Sequence, residues 1–331
     1  MFYYWNRMQN RFKQIYLSVT LVLIAALLAG IFGLNLKIEE DNASRLGDQM
    51  RVLLRGELEK EKSAALSLAI ALAQNENLSK TLIDDDEDRA FEILNETIES
   101  LQTYAKMPKM YAQIITTDLR VFARSWDSDY NGFHMGEFRR DLHEARGWSE
   151  PKVSIETGRM LSFKALTPLK YKNEFVGYLE VVHLFDRLAL AMRRYHIDLM
   201  VLMDRKLLDV AALMLDNPAF CDHIIAHRNF NHQLFARLRQ EDLGPLFENR
   251  QQVSGGHYIT LEPMYDGRGE KLGYFLLAAD ESEAKRWMEQ EHLSFFLGFS
   301  QRDMERIVET QSAPSDRPQP KEGKPIQGAI R

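Results

Sequence analysis

Cysteine is nearly absent: Cys221 stands alone in 331 residues. No internal disulfide framework is available, so the fold rests on its apolar core. An excess of positive charge is missing too. With 42 Lys and Arg against 48 Asp and Glu, the formal net charge is -6. That balance gives the phosphate backbone of a nucleic acid little to hold. There is no G-x-S-x-G element, P-loop or H-E-x-x-H motif, so the sequence carries none of these hydrolase, nucleotide or zinc signatures. Neither catalysis nor a cofactor is expected.

Charge is also absent from residues 14–36. That run of about 23 residues is long enough to cross a bilayer as a helix. Arg7, Arg11 and Lys13 precede it, and Glu39, Glu40 and Asp41 follow. By the positive-inside rule the N-terminus is cytoplasmic and the bulk of the chain lies outside the inner membrane. A cleaved signal peptide is the alternative, but the run is too long and no small-x-small site follows. Ala26, Ala29, Gly30 and Gly33 have spacing that suits helix pairing in a membrane; small residues facing lipid read equally well.

What is present is a repeat. Ser162-Phe-Lys-Ala-Leu-Thr-Pro-Leu, a polar turn, and Phe175-Val-Gly-Tyr-Leu-Glu-Val-Val read as a hairpin. Tyr258-Ile-Thr-Leu-Glu-Pro-Met, a turn, and Leu272-Gly-Tyr-Phe-Leu-Leu read as another. Each has Pro, an apolar residue, a turn, then apolar-Gly-Tyr. Upstream of each hairpin lies a strand–turn–strand pattern, with Asp118-Leu-Arg at the first turn and Asp204-Arg-Lys at the second. The two copies are offset by roughly 90 residues, a whole module rather than a short solenoid repeat. The fold class is therefore α+β, with two tandem modules built on antiparallel sheets.

Leu46, Met50, Leu53, Leu54 and Leu58 recur at threes and fours, which predicts a long helix over 38–76. A short helix from Leu78 and another over 88–106 follow. Helices are also expected over 185–194, 218–227, 231–239 and 281–310, and a disordered tail after that. The stretch 128–151 is long and polar for a connection inside a compact module, and reads as a binding loop.

Strand alternation sorts the first module into two faces. Leu119, Val121, Ala123 and Ser125 share one, with Phe163, Ala165, Leu179 and Val181. Arg120, Phe122, Arg124 and Trp126 share the other, with Ser162, Lys164, Tyr178 and Glu180. A guanidinium or ammonium beside an aromatic wall suits a carboxylate, and Glu180 suits an amine. The expected pocket holds Arg124, Trp126, Ser162, Lys164, Tyr178 and Glu180, capped by Asp127, Tyr130, Arg139 and Asp141. A half-solvated sheet with cross-strand charge pairs is the alternative. The corresponding strands of the second module carry almost no charge, so a packed or weakly binding module is expected there. His223 and His227 sit one helical turn apart on the expected 218–227 helix, but no paired cysteine accompanies them; surface histidines are the simpler account than metal.

In order, a candidate transmembrane helix, a long helix ending in Ala71-Leu-Ala-Gln-Asn-Glu-Asn-Leu-Ser, Arg124-Ser-Trp, a Gly- and Phe-containing loop, Leu161-Ser-Phe, Thr167-Pro and Gly177-Tyr-Leu-Glu-Val resemble the double Cache sensor regions of bacterial chemoreceptors and sensor histidine kinases. The resemblance implies two PAS-like Cache modules stacked along a long N-terminal helix, the membrane-distal one binding a small ligand. It implies the division 1–13 cytoplasmic, 14–36 transmembrane, 37–110 helical, 111–194 membrane-distal module, 195–280 membrane-proximal module, 281–310 closing helix and 311–331 tail. Arg124 and Trp126 match the positions that hold a ligand carboxylate in amino-acid-binding members. Implied partners are a small polar or carboxylate-bearing ligand, a second copy of the chain and a membrane signalling protein. Family receptors continue into an output domain; none is read here, so the signal is expected to leave through the first span or a partner. A ligand-free interaction module, docking through Trp287, Phe295, Phe296 and Phe299, is the rival reading.

Overall fold

The computed structural model describes residues 2–282 except 106, 108, 130–131, 138 and 146–149. The expected helix over 281–310, its aromatic residues and the tail fall outside these, apart from a first helical step at Glu281 and Ser282.

One helix, α1 (Phe2–Ala73), runs through both the apolar N-terminal run and the amphipathic stretch after it. Leu46, Met50, Leu54, Leu58, Ala65, Ala69 and Leu72 are buried along one stripe. Among the described residues no helix is long and apolar enough to cross a membrane. The expected span is helical backbone, and the side chains of 14–25 and 34–36 lie outside the described residues.

Asn75 ends the first helical run by capping the next: its side chain accepts from the Asn77 amide at the start of α2 (Glu76–Asp84). The acidic run that follows is a pair of caps. Asp85 takes the left-handed conformation that closes α2, and Asp86 accepts from the Arg89 amide to open α3 (Glu87–Tyr104).

The first sheet is five-stranded and antiparallel, in the order β2-β1-β5-β4-β3. Its strands are β1 (Met110–Thr116), β2 (Val121–Arg124), β3 (Lys152–Glu156), β4 (Ser162–Tyr171) and β5 (Glu174–His183). Ala112, Ile114, Ala165, Leu179 and Val181 pack with Ala65, Ala69 and Leu72 of α1 and with Ala90, Leu94 and Ile98 of α3. The opposite face is partly covered by the 128–151 stretch, which contains α4 (Arg140–Ala145).

Helix α5 (Asp186–Arg193) leads to a six-stranded sheet, in the order β7-β8-β6-β11-β10-β9. Its strands are β6 (Ile197–Asp204), β7 (Ala219–Phe220), β8 (His223–Ile225), β9 (Gln251–Ser254), β10 (His257–Tyr265) and β11 (Lys271–Asp280). Helices α6 (His232–Leu238) and α7 (Gly244–Asn249) precede β9. One face closes on itself through Met200, Leu202, Phe220, Phe230, Leu234, Leu246, Ile259, Leu261 and Leu276. The other meets α1, where Arg51 donates to Thr260 at 2.8 Å and Arg55 pairs with Glu262 at 2.8 Å.

The sequence repeat occupies one register in both sheets. Pro168 lies opposite Tyr178 and Leu169 opposite Gly177; Pro263 lies opposite Tyr274 and Met264 opposite Gly273. Both ladders shift immediately afterwards, between Leu169 and Lys170 and between Met264 and Tyr265. The glycines are there for close approach. A Cβ on Gly177 would sit 2.6 Å from the Ile115 carbonyl oxygen, and one on Gly273 2.0 Å from that of Leu202.

Three expectations are corrected. Residues 218–227 are not a helix but the β7–β8 hairpin, turned at Cys221 with φ of 51°. Ile224 and Ile225 pair with Met203 and Leu202, and this cross-strand partnership outweighs helical periodicity in so short a run. The second half of the 199–213 pattern is not a strand either: Arg205–Asp209 and Ala212–Met214 are 3-10 turns. Finally, Val121 and Phe122 exchange faces. Ile114 pairs with Ala123 but Ile115 pairs with Val121, so Phe122 is an extra residue at a β-bulge. Phe122 joins the helix-side core, and Val121 packs with Ile115 and Tyr178 on the other side.

Candidate functional site

On the face of the first sheet away from α1, register brings polar side chains into one row. Gln113 on β1 is opposite Arg124 on β2 and Glu180 on β5. Tyr111 is opposite Val182, which is opposite Lys164 on β4. Strand alternation aims all of these the same way. They border a cavity of about 310 Å³, with Trp126, Asp127, Arg139 and the turn residues Gly158, Arg159 and Met160. That is the lower end of the size expected for a small-molecule site.

The floor is a buried charge network. Arg139, 1 % exposed, makes a two-pronged pair with Asp141 at 2.8 and 2.7 Å and reaches Glu180 at 2.5 Å. The second Glu180 oxygen accepts from the Gln113 amide at 2.5 Å, and Gln113 in turn accepts from Arg124 Nε at 3.0 Å. Burial works against the Arg139 charge, but the two carboxylates more than offset it and hold the guanidinium well above its usual range. Burial likewise opposes the Asp141 carboxylate, and Arg139 outweighs it, so the group stays below its ordinary value.

Above this floor lie Arg124, Trp126, Tyr111 and Lys164. The Arg124 guanidinium carbon is 5.3 Å from the Trp126 ring centroid. Trp126 meets Tyr111 edge to face at 5.1 Å. Lys164 donates to the carbonyls of Glu156 at 3.0 Å and Met160 at 3.3 Å. Burial, and next the Arg139 charge, pull its ammonium down to about 8. Gly158 makes room for it: a Cβ there would lie 2.9 Å from Lys164 Nζ.

Of the residues expected from sequence, Arg124, Trp126, Asp127, Arg139, Lys164 and Glu180 line the cavity. Asp141 sits behind Arg139 rather than on the wall. Ser162 is fully buried outside the lining, and Tyr178 packs among Ile115, Leu119, Met135 and Leu142 under the polar stretch. Tyr130 lies outside the described residues. Glu180 does not stand open to an amine, because both of its oxygens already accept hydrogen bonds. Tyr111 and Gln113 were missed, though alternation along β1 marks them. Arg159, Met160 and Leu213 carry no local signal; Leu213 arrives from the 3-10 turn after β6.

The histidines expected on one helix are dispersed. His223 is on β8, stacked on Phe247 with ring centroids 5.3 Å apart, and His227 follows that strand. Among the described residues no group of three or more His, Cys, Asp or Glu is placed to hold a metal ion.

The contact between the two sheets reaches the cavity. The Leu213 amide donates to the Arg159 carbonyl at 3.0 Å. The Gly267 amide, from the β10–β11 turn, donates to Glu156 Oε1 at 3.0 Å. Burial, then the Asp141 charge, raise the Glu156 carboxyl, against the hydrogen bonds it accepts from the Ser154 hydroxyl and the Gly267 amide.

No curated relative matches the chain. Solved structures that resemble it include the sensor domain of the Vibrio cholerae histidine kinase DctB, at 12 % identity and TM-score 0.42 over 72 % of this chain and 95 % of that one. The sensory domain of the Campylobacter jejuni chemoreceptor Tlp3 with isoleucine bound aligns at 12 % identity and TM-score 0.43, over 74 % and 95 % of the two chains. The periplasmic domain of Vibrio cholerae LuxQ aligns at 13 % identity and TM-score 0.41, over 71 % and 98 %. Residues 44–284 match the dCache_3 family model, described as the double sensory domain of two-component sensor kinase. The chain belongs to that family of double Cache sensory domains.

Proposed function

We propose that the chain is a membrane-anchored, extracytoplasmic ligand sensor. Its first module, 111–194, captures a small carboxylate-bearing molecule in the cavity over the first sheet. The observation that carries this reading is the convergence of Arg124, Trp126 and Lys164 on one hollow of about 310 Å³. Arg124 and Lys164 take the carboxylate, Tyr111 and Trp126 hold the body, and Asp127 at the edge takes an ammonium. Glu180, Arg139 and Asp141 position Gln113 and Arg124 rather than touch the ligand.

The second module, 195–280, reads the occupied state through the Leu213–Arg159 and Gly267–Glu156 hydrogen bonds. The 14–36 segment anchors the chain; Leu27, Leu28, Ile31 and Phe32, exposed on α1, support this. Pairing of two α1 helices carries the signal to a membrane partner as a small helix shift. Isoleucine, bound in the Tlp3 structure, makes amino acids the first candidates.

A thermal-shift screen of amino and organic acids against the full chain in detergent tests the reading. A true ligand raises the melting temperature, and Arg124→Ala abolishes the rise. An unchanged rise in Arg124→Ala rejects this hollow as the site.

A further inference from the structure

A second cavity, of about 340 Å³, lies in the seam where the end of β5 and α5 meet the second sheet. Its wall includes two buried polar side chains that nothing in the proposed sensing site uses. His183, at the end of β5, and Glu61, on α1, are each 3 % exposed. Neither ring nitrogen of His183 has a hydrogen-bond partner, nor has Glu61 Oε2. The other Glu61 oxygen pairs with Arg187 Nε at 2.8 Å. Folded proteins pair nearly all their buried polar atoms. Both ring nitrogens of His227, on the same wall, are unmatched as well, and five such atoms around one cavity point to a polar occupant.

The chemistry of the walls narrows what that is. Burial, and next the Arg187 charge, hold the His183 proton affinity down at about 4, so its ring is neutral and offers one donor and one acceptor. That pair, with a carboxyl oxygen on the same cavity wall, suits a hydroxyl group. Lys109, Arg187 and Arg228 also line the cavity, against Glu61 and Asp186. Asp186 already accepts from the amides of Arg228 at 3.2 Å and Asn229 at 2.8 Å. The remaining balance is cationic and favours an oxyanion.

We propose that this seam is a second binding site, taking a small hydroxylated oxyanion whose hydroxyl meets His183 and Glu61 and whose anionic group meets Lys109 and Arg228. Tyr111, Met160 and Leu213 line this cavity and the Arg124 hollow alike, so the two sites share a wall. A ligand here touches both modules at once, where it would clamp or release their contact.

The test is isothermal titration of the full chain in detergent at pH 7 with L-malate, glycerol 3-phosphate and glycerol. At least one of the two anions binds and glycerol does not. Binding of malate alone identifies a carboxylate ligand, and of glycerol 3-phosphate alone a phosphoryl ligand; either supports the site. Arg228→Ala, on the exposed rim, weakens binding about tenfold, the loss of one charge-assisted hydrogen bond. His183→Phe removes the hydroxyl contact and weakens it further; should that variant fail to fold, Arg228→Ala still decides. If neither anion binds, the cavity holds water only and the proposal fails. It fails equally if Arg228→Ala binds both anions as the unmodified chain does.

Discussion

Glu180 accepts a hydrogen bond from Arg139 at 2.5 Å, with side-chain exposures of 0 and 1 %. Such a pair gains little over apolar packing while intact, because two ions have been taken from water. Its worth shows when one partner goes. Arg139→Met leaves Glu180 and Asp141 buried without their hydrogen-bonded cation and is expected to cost about 3–5 kcal/mol. Chemical denaturation of the variant measures this. A loss under about 1 kcal/mol would mean water reaches the site freely.

Lys164 is expected to set a pH limit on ligand binding in the proposed site. Its ammonium, held down at about 8, is charged below that value and neutral above it. A bound carboxylate favours the charged form, so affinity is complete below about pH 8 and declines as pH rises through it. The decline approaches about tenfold per pH unit, the slope of one linked proton. The free chain behaves oppositely, gaining stability between about 8 and the ordinary lysine value of 10.5 as the cost of burying the charge is relieved. Titrating the ligand from the thermal screen at pH 7 and 9.5 checks the first effect, and Lys164→Met should flatten it.

Acid acts in part through His183, and in the same direction through His227, which burial also holds down at about 4. The His183 folded value of about 4 lies below the ordinary 6.5. Between those values the unfolded chain takes up a proton that the folded chain refuses, so stability falls as pH drops from about 6.5 towards 4. Melting curves at pH 7, 5.5 and 4.5 should show a fall that is smaller in His183→Gln. Equal falls in both chains would assign the acid sensitivity elsewhere.

Gly273 is held by its neighbour, Leu202. With the Leu202 oxygen 2.0 Å from where a Cβ would sit, Gly273→Ala must push β11 off β6. A loss above about 2 kcal/mol is expected, in the range of strained backbone sites. Gly177→Ala faces the Ile115 oxygen at 2.6 Å and should cost less. Equilibrium unfolding of the two variants gives the order; a neutral Gly273→Ala would refute the close-approach account.

Much of the architecture was legible in the chain. The stripe from Leu46 to Leu58 needed only 3.6-residue periodicity, and the duplicated Pro and Gly-Tyr pattern announced two like hairpins. The Arg124, Lys164 and Glu180 face followed from alternation, which is a local property of an extended backbone. Where local and non-local forces disagreed, reading failed. His223 and His227 fit a helix by spacing, yet pairing of Ile224 and Ile225 with β6 made the segment a strand. Phe122 fits the Arg124 face by alternation, yet the bulge against β1 turned it inward.

The stripe of the long helix, the duplicated hairpin and the polar face of β4 and β5 are therefore properties of the sequence alone, since each depends on residues a few positions apart. Only the tertiary structure decided that Glu180 serves Arg139 and Gln113, and that Leu213 closes the wall of a cavity on the first sheet. Those pairings join residues far apart in the chain, and their energies appear only once both partners have left water together.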